Sequence, residues 1–504
     1  MSETSKILHG GRLTKAREDV VRFTSSIKDD LRLIDAVLAI NKAHVVMLIE
    51  QQIIPATDGA KLLTALTKHS DIQLDEFAED VHVAVEEVVL KDAGSEIGGN
   101  LHIAKSRNDQ VATAIRMVLR SELLTLMRTV AHVQDHLAEV AGENLETVIL
   151  EYTHLQPAQP VTFAHYLLSY FDMLERDIQR LQDLYRRVNL SPLGAGALAT
   201  TSFAINRDRT AELLGFNGLL ENSIDAVGSR DFVTETVAVL AMISLNLSRL
   251  SEDLIIWSSP DFGVVELPDE FTSTSSIMPQ KKNPEVLEVI RARASHVLGN
   301  LVAVTAAVKS LPSTYNLDFQ EITPKLWESV EITRTSLDMI HKLLPKLKVT
   351  ADVSNKASKS FVAATELANL LVRKYTVPFR TAHKIVGALV KSLVEDKLTF
   401  ADATPDLLQK VAQDVANINV AVKDEEIQAL MNPLELVQTH NVQGGPAPAE
   451  VKRALAAREK QLFATKSNIS KFDKALEEAE CKLNALVQLY ISKKDENVTF
   501  KNSS

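Results

Sequence analysis

Three segments between residues 167 and 301 carry apolar positions at helical spacing. Leu167, Phe171, Leu174, Ile178, Leu181, Tyr185 and Val188 recur at alternating intervals of four and three. Such a repeat places them on one stripe of a helix, opposite Glu175, Arg176, Gln179, Arg180 and Arg187. The segment 232–257 is apolar nearly all round, through Val233, Val237, Leu240, Met242, Ile243, Leu247 and Leu250. A helix of that kind must be covered on several sides, as at the centre of a bundle. A third stripe starts at Pro284 and runs through Val286, Ile290, Ala294, Val297 and Leu301. Long antiparallel helices predict a bundle, and the all-round apolar helix points to other subunits completing it.

The stripe is lost across the polar region 351–360, where a domain boundary is expected. Two shorter helices are expected beyond it, over 361–372 and 379–394. The predicted fold is all-α, in three helical domains and a tail. These are an N-terminal helical domain (1–105), a central long-helix bundle (106–355), a small C-terminal helical domain (356–440) and a helical tail packing back on the body (441–504). No internal repeat is evident.

Composition narrows the function classes. The chain has 504 residues, of which 45% are hydrophobic and 24% charged, the balance of a packed globular protein. Only 17 glycines and 16 prolines are present, which favours long helices over a turn-rich β-fold. A net charge of −11 disfavours nucleic acid as a partner, while leaving room for a local cationic pocket. Cys481 is the only cysteine, so no intrachain disulfide is possible and a reducing compartment is the default. The first twelve residues lack the apolar core of a signal peptide. The richest apolar run, 237–247, falls short of the ~20 residues of a membrane span. A cytoplasmic protein is therefore expected, with no membrane partner.

Three segments could carry chemistry. The first is Thr272-Ser273-Thr274-Ser275-Ser276-Ile277-Met278-Pro279-Gln280-Lys281-Lys282-Asn283-Pro284-Glu285, which ends a long aperiodic connection starting at Ser258. Loops of such length in compact domains are usually functional or disordered. Asn283 suits an N-cap, Pro284 a first helical position and Glu285 a first turn. The loop would then feed a helix N-terminus that favours an anion, with Lys281 adding a full charge beside it. A flexible surface loop with an incidental cap fits the same residues. The second segment, Ser106-Arg107-Asn108-Asp109-Gln110, reads as a capping box opening a helix. Arg107 and Asn108 also suit carboxylate recognition, although capping alone would explain the run. The third, Thr153-His154-Leu155-Gln156-Pro157, sets a histidine in a polar, proline-stopped connection. Histidine is the side chain most easily poised for proton transfer near neutral pH; a solvated loop histidine is the plainer account.

Other motifs are set aside. Gly194-Ala195-Gly196-Ala197-Leu198-Ala199 has the glycine pattern of a dinucleotide site, but a helix precedes it where that site needs a strand, so it reads as a turn. With one cysteine and no helical His-x-x-x-His pair recognised, no metal site is expected. Neither a Gly-x-Ser-x-Gly elbow nor a phosphate-binding loop is found.

Taken together, the three segments resemble the fumarase, aspartase and argininosuccinate lyase superfamily. Its Gly-Ser-Ser-x-Met-Pro-x-Lys-x-Asn loop is matched by residues 275–283. The Lys281-Lys282 doublet, the Ser106 to Gln110 run and Thr153-His154-Leu155-Gln156 point to the argininosuccinate lyase branch. Gly10-Gly11-Arg12, 23–27, 192–196, 222–232, 315–320 and Gly444-Gly445 match in the expected order across nearly the whole chain. The resemblance implies a homotetramer whose central helices form one common bundle and whose active sites draw on three subunits. It implies argininosuccinate as substrate, split into arginine and fumarate without a cofactor. Carried over by position, Ser275 is the expected base, Lys281 stabilises the carbanion, and His154, oriented by Glu288, protonates the leaving nitrogen. Ser26, Ser106, Arg107, Asn108, Thr153, Asn283, Tyr315 and Gln320 match substrate-binding positions. This sequence departs from the pattern at Thr274, usually glycine, at Ile103-Ala104-Lys105, usually Thr-Gly-Arg, and at Thr323, usually lysine with Lys325 close by. Another lyase of the superfamily, such as an adenylosuccinate lyase or a fumarase, is the nearest rival reading. An inactive crystallin-like structural relative is the rival from another class.

Overall fold

The computed structural model describes residues 17–68, 79–350 and 353–501. Gly10-Gly11-Arg12 lies outside them. The chain opens with α1 (Glu18–Thr24), α2 (Ile27–Asp30), α3 (Ile34–Glu50), α4 (Ala56–Lys68), α5 (Val81–Ala93) and α6 (Ser95–Gly98). Next comes α7 (Arg107–Glu143), then a hairpin of β1 (Val148–Thr153) and β2 (Gln156–Thr162), then α8 (Phe163–Val188). Two short helices, α9 (Arg207–Leu213) and α10 (Ser223–Gly228), lead into α11 (Asp231–Trp257). Three two-residue strands, β3 (Val265–Glu266), β4 (Ser273–Thr274) and β5 (Lys282–Asn283), punctuate the connection to α12 (Glu285–Val308) and α13 (Phe319–Leu343). The fold is all-α; its few strands only pin loops.

Helices α7, α8, α11, α12 and α13 form the bundle. On α8 the predicted stripe is buried, from Leu167 to Val188. Helix α11 is long and apolar enough by length and composition to cross a membrane, which the short run read from the sequence did not anticipate. Its apolar side faces the bundle instead: Val233, Val237, Leu240, Ile243, Leu247, Leu250 and Leu254 are at most 1% exposed. Helix α12 buries a single stripe (Leu287, Ile290, Ala294, Val297, Val304) and leaves Val289 and Val302 open.

The bundle core is continuous with α3 to α5 and with the last helix of the chain. After β6 (Lys348–Val349), which pairs with β3, helices α14 (Val353–Lys359), α15 (Ala364–Tyr375), α16 (Phe379–Glu395), α17 (Pro405–Ala416), α18 (Asp424–Ala429) and α19 (Pro433–Thr439) follow. Residues of α15 to α19 enclose a second core around Leu367, Leu371, Ile385, Leu389, Phe400 and Leu408. The long α20 (Pro448–Lys501) returns along α7, tied by Arg128 to Asp473 at 2.7 Å and by Arg458 to Asp172.

Candidate active site

The N-terminus of α7 organises the largest group of predicted site residues. Ser106 is its N-cap and Asp109 completes the capping box. Buried Asp109 accepts from Ser106 N (3.1 Å), Gly194 N (3.1 Å) and Gly196 N (2.7 Å). Burial nevertheless raises its pKa to about 6. The glycine-rich run is thus a turn wrapped round a carboxylate, with Gly194 at φ 84° and Gly196 at φ 63°, where glycine carries no steric penalty. Its next carbonyl, Ala197 O, accepts from Asn108 Nδ2 at 3.1 Å.

Arg107, at the first turn, is held by Asp80 (2.8 Å) and Glu79 (3.0 Å). Asp80 is fixed in turn as the N-cap of α5, accepting from Val83 N. Ser26 donates to Asp30 Oδ2 at 2.6 Å, and its amide donates to Glu79 O. Burial, reinforced by the nearby Asp80 charge, raises Asp30 to about 6 against the opposing Ser26 bond. These groups surround a cavity of about 290 Å³, closed on its far side by Tyr315, Gln320 and Thr323. Of the substrate-binding positions, Ser26, Arg107, Asn108, Tyr315 and Gln320 line it. Asp29, Asp30, Glu79, Asp80 and Arg230 line it too, and the sequence reading missed all five. Asp29 and Asp30 on α2, Glu79 and Asp80 just before α5 and Arg230 just before α11 carry no local signal that separates a cavity wall from a solvated face.

Thr153 and His154 are elsewhere, at the tip of the β1–β2 hairpin, and both are exposed. The expected irregular connection is a tight turn in which Thr153 pairs with Gln156. His154 and Leu155 take φ of 56° and 57°. Two consecutive left-handed residues are what a two-residue hairpin loop of this hand requires. Side chains other than glycine cost about 1 kcal/mol each there. The turn therefore projects the imidazole outward at some energetic cost.

A third group sits on the loop before α12. Ser273 pairs with Asn283 and Thr274 with Lys282, so β4 and β5 cinch the loop at its base. Extended pairing explains why threonine is accepted at 274. Ser275 Oγ accepts from Ile277 N (3.3 Å) and Met278 N (3.2 Å). The lysine doublet is divided: Lys282 pairs with Asp269 at 2.6 Å and with Glu266 at 3.4 Å. Lys281 is exposed and makes no ion pair among the described residues. The expected N-cap at Asn283 and first helical position at Pro284 need correction. Asn283 is a strand residue and Pro284 stands at the N-cap, with no side-chain cap. Glu288, the expected partner of His154, lies in the first turn of α12.

The departures also find their places. Ala104 has φ 60°, a conformation that explains the usual glycine there. Lys105 is buried against Asn41, and desolvation lowers its pKa to about 8. Thr323 borders the cavity, bonding Phe319 O at 3.1 Å, whereas Lys325 turns outward to Glu328. One helical histidine pair escaped the sequence reading. His132 and His136 stand four apart on α7 beside His341, yet among the described residues no three side chains of His, Cys, Asp or Glu are grouped to hold a metal ion.

Comparison with known proteins bears on this arrangement. Residues 12–299 match a lyase family model, and residues 361–438 match the argininosuccinate lyase C-terminal model. The argininosuccinate lyase of Methanocaldococcus jannaschii is 42% identical over 493 residues, covering 96% of this chain and 99% of that protein. That of Methanothermobacter thermautotrophicus is 43% identical over 455 residues, covering 89% and 97%. Among solved structures, an EDDS lyase in complex with formate superposes with a TM-score of 0.86 at 30% identity, covering 98% of this chain and 99% of the other. A class II fumarase from Schistosoma mansoni shares the fold, with a TM-score of 0.70 at 18% identity over 85% of this chain and 96% of its own. The chain belongs to the argininosuccinate lyase family of the fumarase and aspartase superfamily, and its activity is argininosuccinate cleavage.

Proposed function

We propose that each active site is completed by three subunits of a cytoplasmic homotetramer. The observation that carries this reading is the division of the motif residues within one chain. The cavity group (Ser26, Arg107, Asn108, Tyr315, Gln320), the hairpin group (Thr153, His154) and the loop group (Ser275, Lys281, Asn283, Glu288) stand on separate elements, and no hairpin or loop residue lines the cavity. Val289 and Val302, open on α12, supply apolar surface for subunit contact.

In this reading the cavity takes the arginine half of argininosuccinate and the loop closes over the succinyl half. Ser275, as alkoxide, removes a Cβ proton. The electron pair left behind spreads into the adjacent carboxylate, where Lys281 neutralises the growing charge. It then forms the Cα–Cβ double bond as the C–N bond breaks. The guanidino nitrogen leaves with a proton from His154, oriented by Glu288, and fumarate and arginine remain. An unassisted serine is a poor base. The Ile277 and Met278 amides already directed at Ser275 Oγ, with Lys281 nearby in the loop, are the groups that would stabilise its ionised form.

Mixing subunits tests the assembly. Ser275→Ala and His154→Asn variants, each inactive alone, are unfolded together and refolded at equal ratio. If hairpin and loop come from different chains, random assembly leaves about a quarter of the sites with both groups intact in a closed tetramer. About a quarter of wild-type turnover is therefore expected. No recovery in correctly sized tetramers would mean that both groups act from one chain.

A further inference from the structure

Three arginines are buried in the bundle, and one of them differs from the other two. Arg116 donates to Arg187 O and Val188 O and lies 3.9 Å from the Phe232 ring centroid. Arg120 donates to Asn189 Oδ1 and Leu214 O and lies over Phe216. Both reach across the fold to carbonyls on distant segments, the work of a structural clamp. Arg230 is 4% exposed and bonds only its own turn, Val227 O at 3.1 Å and Ser229 O at 2.8 Å, both through Nη1. Its Nε and Nη2 are buried with no hydrogen-bond partner among the described residues, whereas Arg116 and Arg120 each leave only Nε in that state. Its plane lies over Phe319, 4.7 Å from the ring centroid, and it makes no ion pair among those residues.

A buried charge without a partner is strongly unfavourable, and burial indeed lowers the pKa of this guanidinium to about 10. Buried donors left open in a native fold call for a reason. Here the reason is positional, because Arg230 lines the same 290 Å³ cavity as Tyr315, Gln320 and Ser26. The cavity's other arginine, Arg107, is already matched by Glu79 and Asp80. Asp29 and Asp30, the latter already accepting from Ser26, lie along the same walls. One free guanidinium and one acidic pair in a single cavity are the complement of a zwitterionic amino-acid end.

We infer that the Arg230 guanidinium binds the α-carboxylate of the arginine half of the substrate, and so selects an amino-acid end over an uncharged or purely cationic one. Planar guanidinium forks pair two N–H groups with a carboxylate, which a lysine ammonium cannot reproduce. This assignment rests on the cavity being the arginine subsite; the succinyl chemistry at Ser275 stands apart from it.

The test uses the wild-type enzyme first. Arginine, a product, is compared as an inhibitor with agmatine, which lacks only the carboxylate. Losing a buried charge-paired group weakens binding by roughly 30-fold or more, so agmatine is expected to be weaker by that factor. In Arg230→Met the inhibition constant for arginine and the KM for argininosuccinate should rise together by a similar factor, and the preference for arginine over agmatine should collapse. Inhibition by fumarate should stay within about twofold, since it occupies the other half of the site. Arg230→Lys keeps the buried charge and guards against misfolding; its arginine affinity should fall by at least about tenfold. Equal inhibition by arginine and agmatine in wild type would overturn the inference. So would a preserved preference for arginine in either variant, or an equal loss of fumarate binding. A purely structural Arg230 would lower thermal stability without altering the arginine-to-agmatine ratio. Failure of the subunit-mixing experiment would leave this ratio untouched, so the two readings fail separately.

Discussion

The α7 cavity and the Ser275 loop carry the same kind of residue in very different states. Around the cavity nearly every polar group is already held: Arg107 by two carboxylates, Asp109 by three amides, Ser26 by Asp30. On the loop, Ser275 meets only the amides of its own turn and Lys281 has no ion-pair partner among the described residues. A site that recognises a small molecule benefits from walls fixed in advance, because ordering them at binding would cost affinity. A base and a charge stabiliser need the reverse: they act only once substrate has displaced water and brought the pieces together. In the proposed reading, binding is prebuilt within one chain, while chemistry waits for closure and for neighbouring subunits.

The sharpest way to break this contrast is Ser275→Ala. Proton abstraction by a positioned base is worth about 10² to 10⁴ in rate. Turnover, followed as fumarate formation, should fall by that factor, with tetramer size and arginine inhibition unchanged. Normal turnover would remove Ser275 from the role. A smaller effect divides the lysines. Lys281→Met should cost about 10² in kcat as a lost electrostatic stabiliser. Lys282→Met should cost only a few-fold, because an exposed ion pair with Asp269 and Glu266 contributes little. Equal losses would show that the doublet acts as one patch.

The smallest effect concerns the prebuilt half. Asp30 has its folded pKa raised to about 6 from an ordinary 3.8, so the folded state binds protons more tightly there than the unfolded state. Its contribution to stability is fully present below the ordinary value and is lost as pH rises through about 6. Asp109, raised to a similar value, acts in the same window. Asp30→Asn should therefore make the unfolding midpoint of the ligand-free protein less sensitive to pH between about 4 and 6. An unchanged slope would assign the titration to Asp109 or to other groups.

Much of this was legible in the chain. Helical period marked α8, α11 and α12 because a bundle helix must bury a recurrent stripe, and recurrence is visible in one dimension. Capping chemistry located the start of α7, since Ser106 and Asp109 act within one turn of backbone. The hairpin at His154 was hidden, because its turn uses two left-handed residues without the asparagine or glycine that would have announced it. Asn283 was misplaced for a related reason: a good capping residue was claimed by strand pairing with Ser273 instead.

What the sequence by itself determined is local or periodic: the helices, the capped N-terminus of α7 and the motifs that name the family. Only the tertiary structure decided which motifs share a wall. It joined Ser26, Arg107 and Tyr315 round one cavity, left His154 and Ser275 outside it, and placed Arg230 there with two nitrogens that have no partner among the described residues. The physical reason is that burial and charge pairing depend on distance in space, and residues such as 26, 107, 230 and 315 meet only when helices far apart in the chain pack together.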